Sequence, residues 1–479
     1  MITMLGSRRR SCDGLTRRET LKAGALGLAG GFHLPGLLRA EEARGAQAAP
    51  GKAKNVIVLY LLGGAPSQDM FDLKPDAPAE VRGEFKPIAT SAPGVMIGDH
   101  LPLTARWMHR AALVRSVNHK AGCHNPLPSY TGFEGMLTDL VSTRDYYPPS
   151  MGSVCEYLKD ERDPLPAYMY MPCYLGWGQS IRRPGPYAGF LGKRYDALYT
   201  ECSPYIDKDA PPERPGYPQV LRGEPRIPDS TPGEGITIDR FHARRTMLQQ
   251  LDDQVRRAEG HPALGTFDRF QARAFELMTS AKVKAAFNLE AEDPKLRDRY
   301  GRTLFGSSAL IARRLVQAGV RYVNVTWDCY WEKLQLQYDC WDTHTRNFPI
   351  LREYNLPQLD LTLSALLGDL DGRGLLDETL VVVMSDMGRT PKINGAGGRD
   401  HWTYCYSNFF AGAGIRGGTV HGASDKQAAY VKDSPVSPGD VCATIYKCLG
   451  IDPEMTVPDR TDRPTPIANG GSPIREIMA

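Results

Sequence analysis

Three short segments bring aspartate and histidine together at spacings able to bind a divalent metal. In Trp341-Asp342-Thr343-His344 the acid and the imidazole are two residues apart, which turns both to one side of an extended segment. Ser385-Asp386-Met387-Gly388-Arg389-Thr390 contributes Asp386, and Gly398-Arg399-Asp400-His401-Trp402 contributes His401. Carboxylate oxygen with imidazole nitrogen suits zinc, manganese or a similar ion. Each segment also has a plain structural use. An aspartate after a strand commonly caps the next helix, and Asp400 and His401 can bond to each other. A glycine-rich loop is nevertheless a poor setting for a core histidine. Arg389 either grips an anionic group through its planar fork or forms a buried pair with Asp69 or Asp386. A further group, His119, Cys123 and His124, is followed by Ser129 and Thr131. A thiol or hydroxyl beside a histidine is what nucleophilic catalysis needs, but spacing alone does not bring these side chains together.

The segments share a position directly after apolar runs. Residues 55–62 are continuously apolar after Asn55 and stop at Gly63-Gly64, with Ala65-Pro66-Ser67-Gln68-Asp69-Met70-Phe71-Asp72 beyond. Residues 379–384 are a further run of this kind, and 321–326 read as another strand, which leads on through Trp327-Asp328. Such runs are buried strands of a parallel sheet. Helical patterns over 303–318, ended by Gly319, and from Pro357 to Leu370 alternate with them. The alternation predicts an α/β fold with helices covering a mostly parallel sheet, in which ligands bind beyond the carboxyl ends of strands. One shared site is therefore expected. A short helix and a strand are expected over 101–117, and helices over 150–159, 240–258 and 264–289. Residues 160–235, rich in proline, glycine and tyrosine, are too long for an ordinary connection and are expected as an ordered surface insertion covering a cleft.

The 479 residues carry a formal charge of +3, with 42% hydrophobic and 24% charged residues. This composition excludes a disordered, collagen-like or polytopic membrane protein. Eight basic and four acidic residues lie within 1–48, so the rest is one charge below neutral; no basic stripe marks a nucleic-acid partner. Residues 1–48 read as targeting: Thr16-Arg17-Arg18-Glu19-Thr20-Leu21-Lys22, a glycine- and alanine-rich apolar run from Ala23 to Leu38, and small residues at Ala46-Gln47-Ala48. The paired arginines resemble the twin-arginine export signal, whose translocation machinery is then a partner. No later stretch is long enough to span a bilayer. Export permits disulfides; Cys202, Cys329, Cys340 and Cys405 are candidates, with partners that spacing does not assign. The chain lacks a Walker lysine, a Gly-x-Ser-x-Gly elbow, a His-Glu-x-x-His motif and a Cys-x-x-Cys pair.

With Leu62-Gly63-Gly64-Ala65-Pro66-Ser67-Gln68-Asp69-Met70-Phe71-Asp72 and the three metal-type segments, the chain resembles the DUF1501 family of twin-arginine-exported bacterial proteins over roughly residues 50–455. That family is distantly similar to the alkaline phosphatase and sulfatase superfamily. The resemblance implies a three-layer α/β sandwich with metal ligands after the sheet strands. Carried over, Asp69 is the first ligand aspartate, Asp342 and His344 the middle pair, Asp386 the next acid and His401 the late histidine. The metal would be zinc, manganese or calcium. The chain departs from the superfamily in having Asp-x-His for Asp-x-x-x-His, and Met387 where a histidine usually follows the aspartate. Cys123-His124-Asn125-Pro126-Leu127-Pro128-Ser129-Tyr130 before Thr131-Gly132 lacks the arginine of the sulfatase motif. Ser129 or Thr131 is then the candidate nucleophile, Thr131 having the alternative use of a helix cap.

The resulting expectation is a signal over 1–48, one large domain over 50–455 and a tail over 456–479. Its function is that of an exported metal-dependent hydrolase of phosphate or sulfate esters, taking an anionic ester or an envelope polysaccharide. The alternative is a non-catalytic binding or assembly protein of the cell envelope on the same fold.

Overall fold

The continuous apolar run after residue 54 forms strand β1 (Asn55–Leu61), which is buried along its whole length because both of its faces are covered. Ile57, Leu59 and Leu61 enter one core; Val56, Val58 and Tyr60 enter another. The structure, a computed structural model, describes residues 52–135, 145–160, 165–207, 220–227, 280–336 and 340–479. The segment 1–48, expected as a signal, and the helix expected over 240–258 lie outside the described residues. Of the stretch 264–289, Ala281–Phe287 is a helix.

The central sheet has eight strands. After β1 come β2 (Ala111–Val117), β3 (Tyr168–Met171), β4 (Leu198–Tyr199), β5 (Tyr322–Trp327), β6 (Thr379–Ser385), β7 (Tyr406–Gly412) and β8 (Thr419–His421). Across the sheet their order is β8-β2-β7-β6-β1-β5-β3-β4. Strands β6, β1, β5, β3 and β4 are parallel. Only β7 is reversed, pairing antiparallel with β6 and with β2, so β2 again points the same way as β1. Leu61 is level with both Ser385 and Trp327, so the central strands end together.

Helices α1 (Leu127–Thr131), α2 (Met151–Tyr157), α3 (Leu304–Ala318), α4 (Leu356–Gly372) and α5 (Pro438–Cys448) complete the layers. Leu310, Ile311 and Leu315 of α3 and Leu359, Leu363 and Leu366 of α4 pack on the Ile57 face. Val154 of α2 and Val441, Ile445 and Tyr446 of α5 pack on the Val56 face. Fully burying each such aliphatic side chain contributes roughly 1.5–3 kcal/mol. Thr303 caps α3 by accepting from the Gly306 N–H, and Gly319, at φ +110°, ends it. Ser437 and Asp440 form a capping box at the start of α5. This is the expected three-layer sandwich with a mostly parallel sheet.

Two expectations differ from the structure. The described part of 160–235 supplies β3 and β4, and Tyr168 and Tyr170 are wholly buried between sheet and helices; these two tyrosines are core, because this segment extends the sheet, whereas Tyr205 is exposed. Residues 456–479, expected as a tail, pack against the domain. Thr456–Pro458 pairs with Pro464–Pro466, and Val457, Ile467, Ile474 and Ile477 enter the α5 core. Among the described residues no helix is long and apolar enough to cross a membrane.

Candidate metal centre

Four side chains converge beyond the carboxyl ends of the strands: His124, Asp342, His344 and His401 offer ligand atoms that all lie within 4.8 Å of one another. His124 follows β2, Asp342 and His344 lie on the loop after β5, and His401 lies in a short ribbon, Gly388–Arg389 with His401–Trp402, after β6. Asp342 is the hub. Its Oδ2 lies 3.3 Å from His124 Nε2, and its Oδ1 lies 3.1 Å from His344 Nε2 and 3.3 Å from His401 Nε2. The Nε2 atoms of His344 and His401 are 2.8 Å apart.

Two further carboxylates orient this set from behind. Asp400 Oδ1 is 2.7 Å from His344 Nδ1, and Asp386 Oδ2 is 3.2 Å from His124 Nδ1. An ionised carboxylate only accepts, so each Nδ1 donates to the carboxylate behind it and each Nε2 faces inward. Asp386 is completely buried and fixed by the Gly63 N–H, 2.9 Å from its Oδ1. Gly63, at φ +115°, is needed here: a Cβ would stand 2.7 Å from the Asp342 nitrogen. The set opens outward on one side, where the side chains of His344 and Asp400 are 38% and 52% exposed. A cavity of about 280 Å³ adjoins it, lined by Trp331, Asp342, Thr343, His344 and Ile350 among others.

The electrostatics suit a cation. Burial alone would raise the Asp342 carboxyl, but bonds from His124 and His401 and the Arg389 charge hold it far below the usual carboxylate range. Burial likewise opposes ionisation of Asp386, and the His124 contact outweighs it. Burial lowers His401, with the His124 and Arg389 charges acting in the same sense, which favours the neutral imidazole a metal requires. Burial opposes charge on His124 as well, but its bonds to Asp342 and Asp386 outweigh that and raise the imidazole.

The other expected site residues have different surroundings. Asp69 lies outside the group. Arg399 Nη2 and Nε donate to its two oxygens at 2.8 Å each, and Asn347 donates at 2.9 Å. Asp386 stands behind His124 and is absent from the converging ligand set. Arg389 is fully buried, donating to the carbonyls of Gly64 and Arg399 at 3.0 and 3.1 Å and also to the Gly63 carbonyl and Asp342. Its donors are thus used inside the protein and its partner is Asp342. Ser129 donates to the Ser385 carbonyl at 2.9 Å and Thr131 to the Leu127 carbonyl at 2.7 Å. Cys123 is exposed, but partial desolvation and the Asp386 charge raise its thiol. Asp328, after β5, binds the N–H groups of Gly178 and Cys329, and burial pushes it up to about 6.

Sequence reasoning placed His124 beside Ser129 and left it out of the metal set, and it gave Asp400 no role toward His344. The signal for His124 was its position after the 111–117 strand. Reading it required knowing that this strand points the same way as β1.

No curated protein matches the chain. Among solved structures it is similar to the PsFucS1 sulfatase from Pseudoalteromonas sp., at 14% identity over 91% of this chain and 75% of that one, with a TM-score of 0.36. It is also similar to the lipoteichoic acid synthase LtaP from Listeria monocytogenes, at 10% identity over 88% and 77% of the two chains, TM-score 0.32. A third is the phosphonate monoester hydrolase SpPMH from Silicibacter pomeroyi, at 12% identity over 88% and 76%, TM-score 0.31. These distant likenesses carry no statement about chemistry. Residues 53–478 match the family described as "Protein of unknown function (DUF1501)", and over that span, which takes in the whole sheet and every residue of the candidate centre, the chain belongs to the DUF1501 family.

Proposed function

We propose that the protein is an exported hydrolase of phosphate or sulfate esters that depends on a divalent metal. The convergence of His124, Asp342, His344 and His401, backed by Asp386 and Asp400, carries this reading. Three imidazoles and one carboxylate suit zinc or another first-row ion and do not suit calcium, which takes oxygen ligands. A metal held there would polarise an ester oxygen and neutralise charge developing on it. Asp386 and Asp400 fix the orientation of His124 and His344, and buried Arg389 holds Asp342 in place from the protein side. The open side at His344 and Asp400 gives an anionic ester, free or borne on an envelope polysaccharide, a way in.

The test is metal content of the purified protein by elemental mass spectrometry, followed by hydrolysis of aryl phosphate and aryl sulfate with and without chelator. Bound first-row metal and a chelator-sensitive rate support the proposal. A folded protein that takes up no metal on reconstitution overturns it. The second reading, a non-catalytic envelope-binding protein, is favoured by one observation: the Ser129 and Thr131 hydroxyls are both committed to main-chain carbonyls. Metal-loaded protein without turnover of either ester class would support that reading. Export is tested separately. Arg17→Lys with Arg18→Lys is expected to leave the protein unexported, and normal export would remove the twin-arginine assignment.

A further inference from the structure

We propose that Cys173 and Cys202 form a structural disulfide in the mature protein, joining the chain just beyond β3 to the chain just beyond β4. Backbone register places them together. Strands β3 and β4 pair in parallel, Met169 opposite Leu198 and Tyr170 opposite Tyr199. The alignment continues past the strands, where the Thr200 N–H donates to the Tyr170 carbonyl at 3.1 Å and the Thr200 hydroxyl to the Pro172 carbonyl at 2.7 Å. Counting on in this register sets Cys173 opposite Cys202, and their Sγ atoms are 2.6 Å apart. Both residues are buried, 6% and 8% exposed, in a small apolar cluster with Leu221, Leu304, Tyr330 and Leu336.

The surroundings leave these thiols little else to do. Contact with Cys202 and burial hold the Cys173 thiol far above the range in which it would act as a nucleophile. Among the described residues the one group able to hold a metal is that around Asp342, to which neither cysteine belongs. The segment between them is also held in place: the Gly178 N–H donates to Asp328 at 3.1 Å, and Arg183 donates to the carbonyl of His124 at 3.2 Å. A link at the base of this segment therefore constrains the loop that carries one of the candidate ligands.

The chemistry is thiol–disulfide exchange with a small-molecule disulfide or the disulfide of an oxidoreductase. One cysteine, as thiolate, attacks the reagent sulfur and displaces one reagent thiol, leaving a mixed disulfide. The second cysteine, as thiolate, then attacks the sulfur of the first and displaces the other reagent thiol. Two thiols are oxidised, the reagent disulfide is reduced, and the protons lost by the cysteines end on the two reagent thiols. Because both side chains are buried in the finished fold, the exchange belongs to folding.

The inference is independent of the metal reading, and its test does not require export. Reduced, denatured protein is refolded in a buffer of oxidised and reduced glutathione, then denatured, alkylated and digested without reductant. The expected result is one linked peptide pair containing Cys173 and Cys202, lighter by two hydrogens than the separate peptides and split by reductant, with Cys155, Cys442 and Cys448 alkylated. Alkylation of Cys173 and Cys202 to the same extent as those three overturns the proposal, as does linkage of either to another cysteine. Reductant is also expected to lower the melting temperature of the refolded protein by several degrees more than that of the Cys173→Ser, Cys202→Ser double variant. An equal shift in that variant would overturn the structural role.

Discussion

Methionine in place of Arg399 is expected to destabilise the protein by about 3–5 kcal/mol, the range for breaking a buried ion pair by removing one partner. Both Arg399 and Asp69 are buried from solvent, and the two 2.8 Å bonds between them form a bidentate fork. Without the guanidinium, Asp69 keeps only the Asn347 amide, and the carbonyls of Val81 and Thr390 lose a donor. Against typical total stabilities of about 5–15 kcal/mol, such a change brings a domain close to unfolding. Denaturant titration followed by circular dichroism measures it. The double variant Arg399→Met, Asp69→Leu is expected to recover part of the loss, since removing both charges leaves none buried alone. A single variant within about 1 kcal/mol of the parent would remove the assignment of Asp69 and Arg399 as a structural pair.

Alanine in place of His401 is expected to take bound metal from about one ion per chain to nearly none, because it removes one of the four converging ligands. The ring is partly exposed and its nitrogen serves only this group, so the fold should survive. Asp400→Asn keeps the ligands and loosens the orientation of His344; an affinity loss of roughly 10–100-fold is expected for an outer carboxylate of this kind. Competition with a chromogenic chelator separates the two effects. Unchanged metal content in the His401 variant would sink its ligand assignment, and equal affinity in the Asp400 variant would deny that carboxylate an orienting role.

The strands that build the floor of the centre were legible because burial on both faces writes a continuous apolar run, as in residues 55–62 and 379–384. The positions of Asp342, His344 and His401 were legible because parallel strands deliver their following residues to one edge. His124 was not. Its strand is separated from the parallel set by the reversed strand β7, and helix–strand alternation gives no direction to a strand reached in that way. The fate of Asp69 was hidden for another reason. Its partner Arg399 lies 330 positions away, and nothing local distinguishes an aspartate awaiting a metal from one awaiting a guanidinium. Asp386 was expected as a ligand and Arg389 as an anion clamp, and only the register of β1 against β6 tells that Gly63 and Gly64 meet them.

The chain distance between the residues of the centre has a consequence for how the protein reaches its working state. His124 and the Asp386 that orients it are 262 positions apart, so no early fragment of the fold holds the full set. Long loops must close before the ligands meet. An ion bound there grips the completed sheet and almost nothing before it, adding stability in proportion to the logarithm of its concentration over its dissociation constant. On the proposed metal reading the ion would act as a latch across the sheet edge, joining the loops that follow β2, β5 and β6.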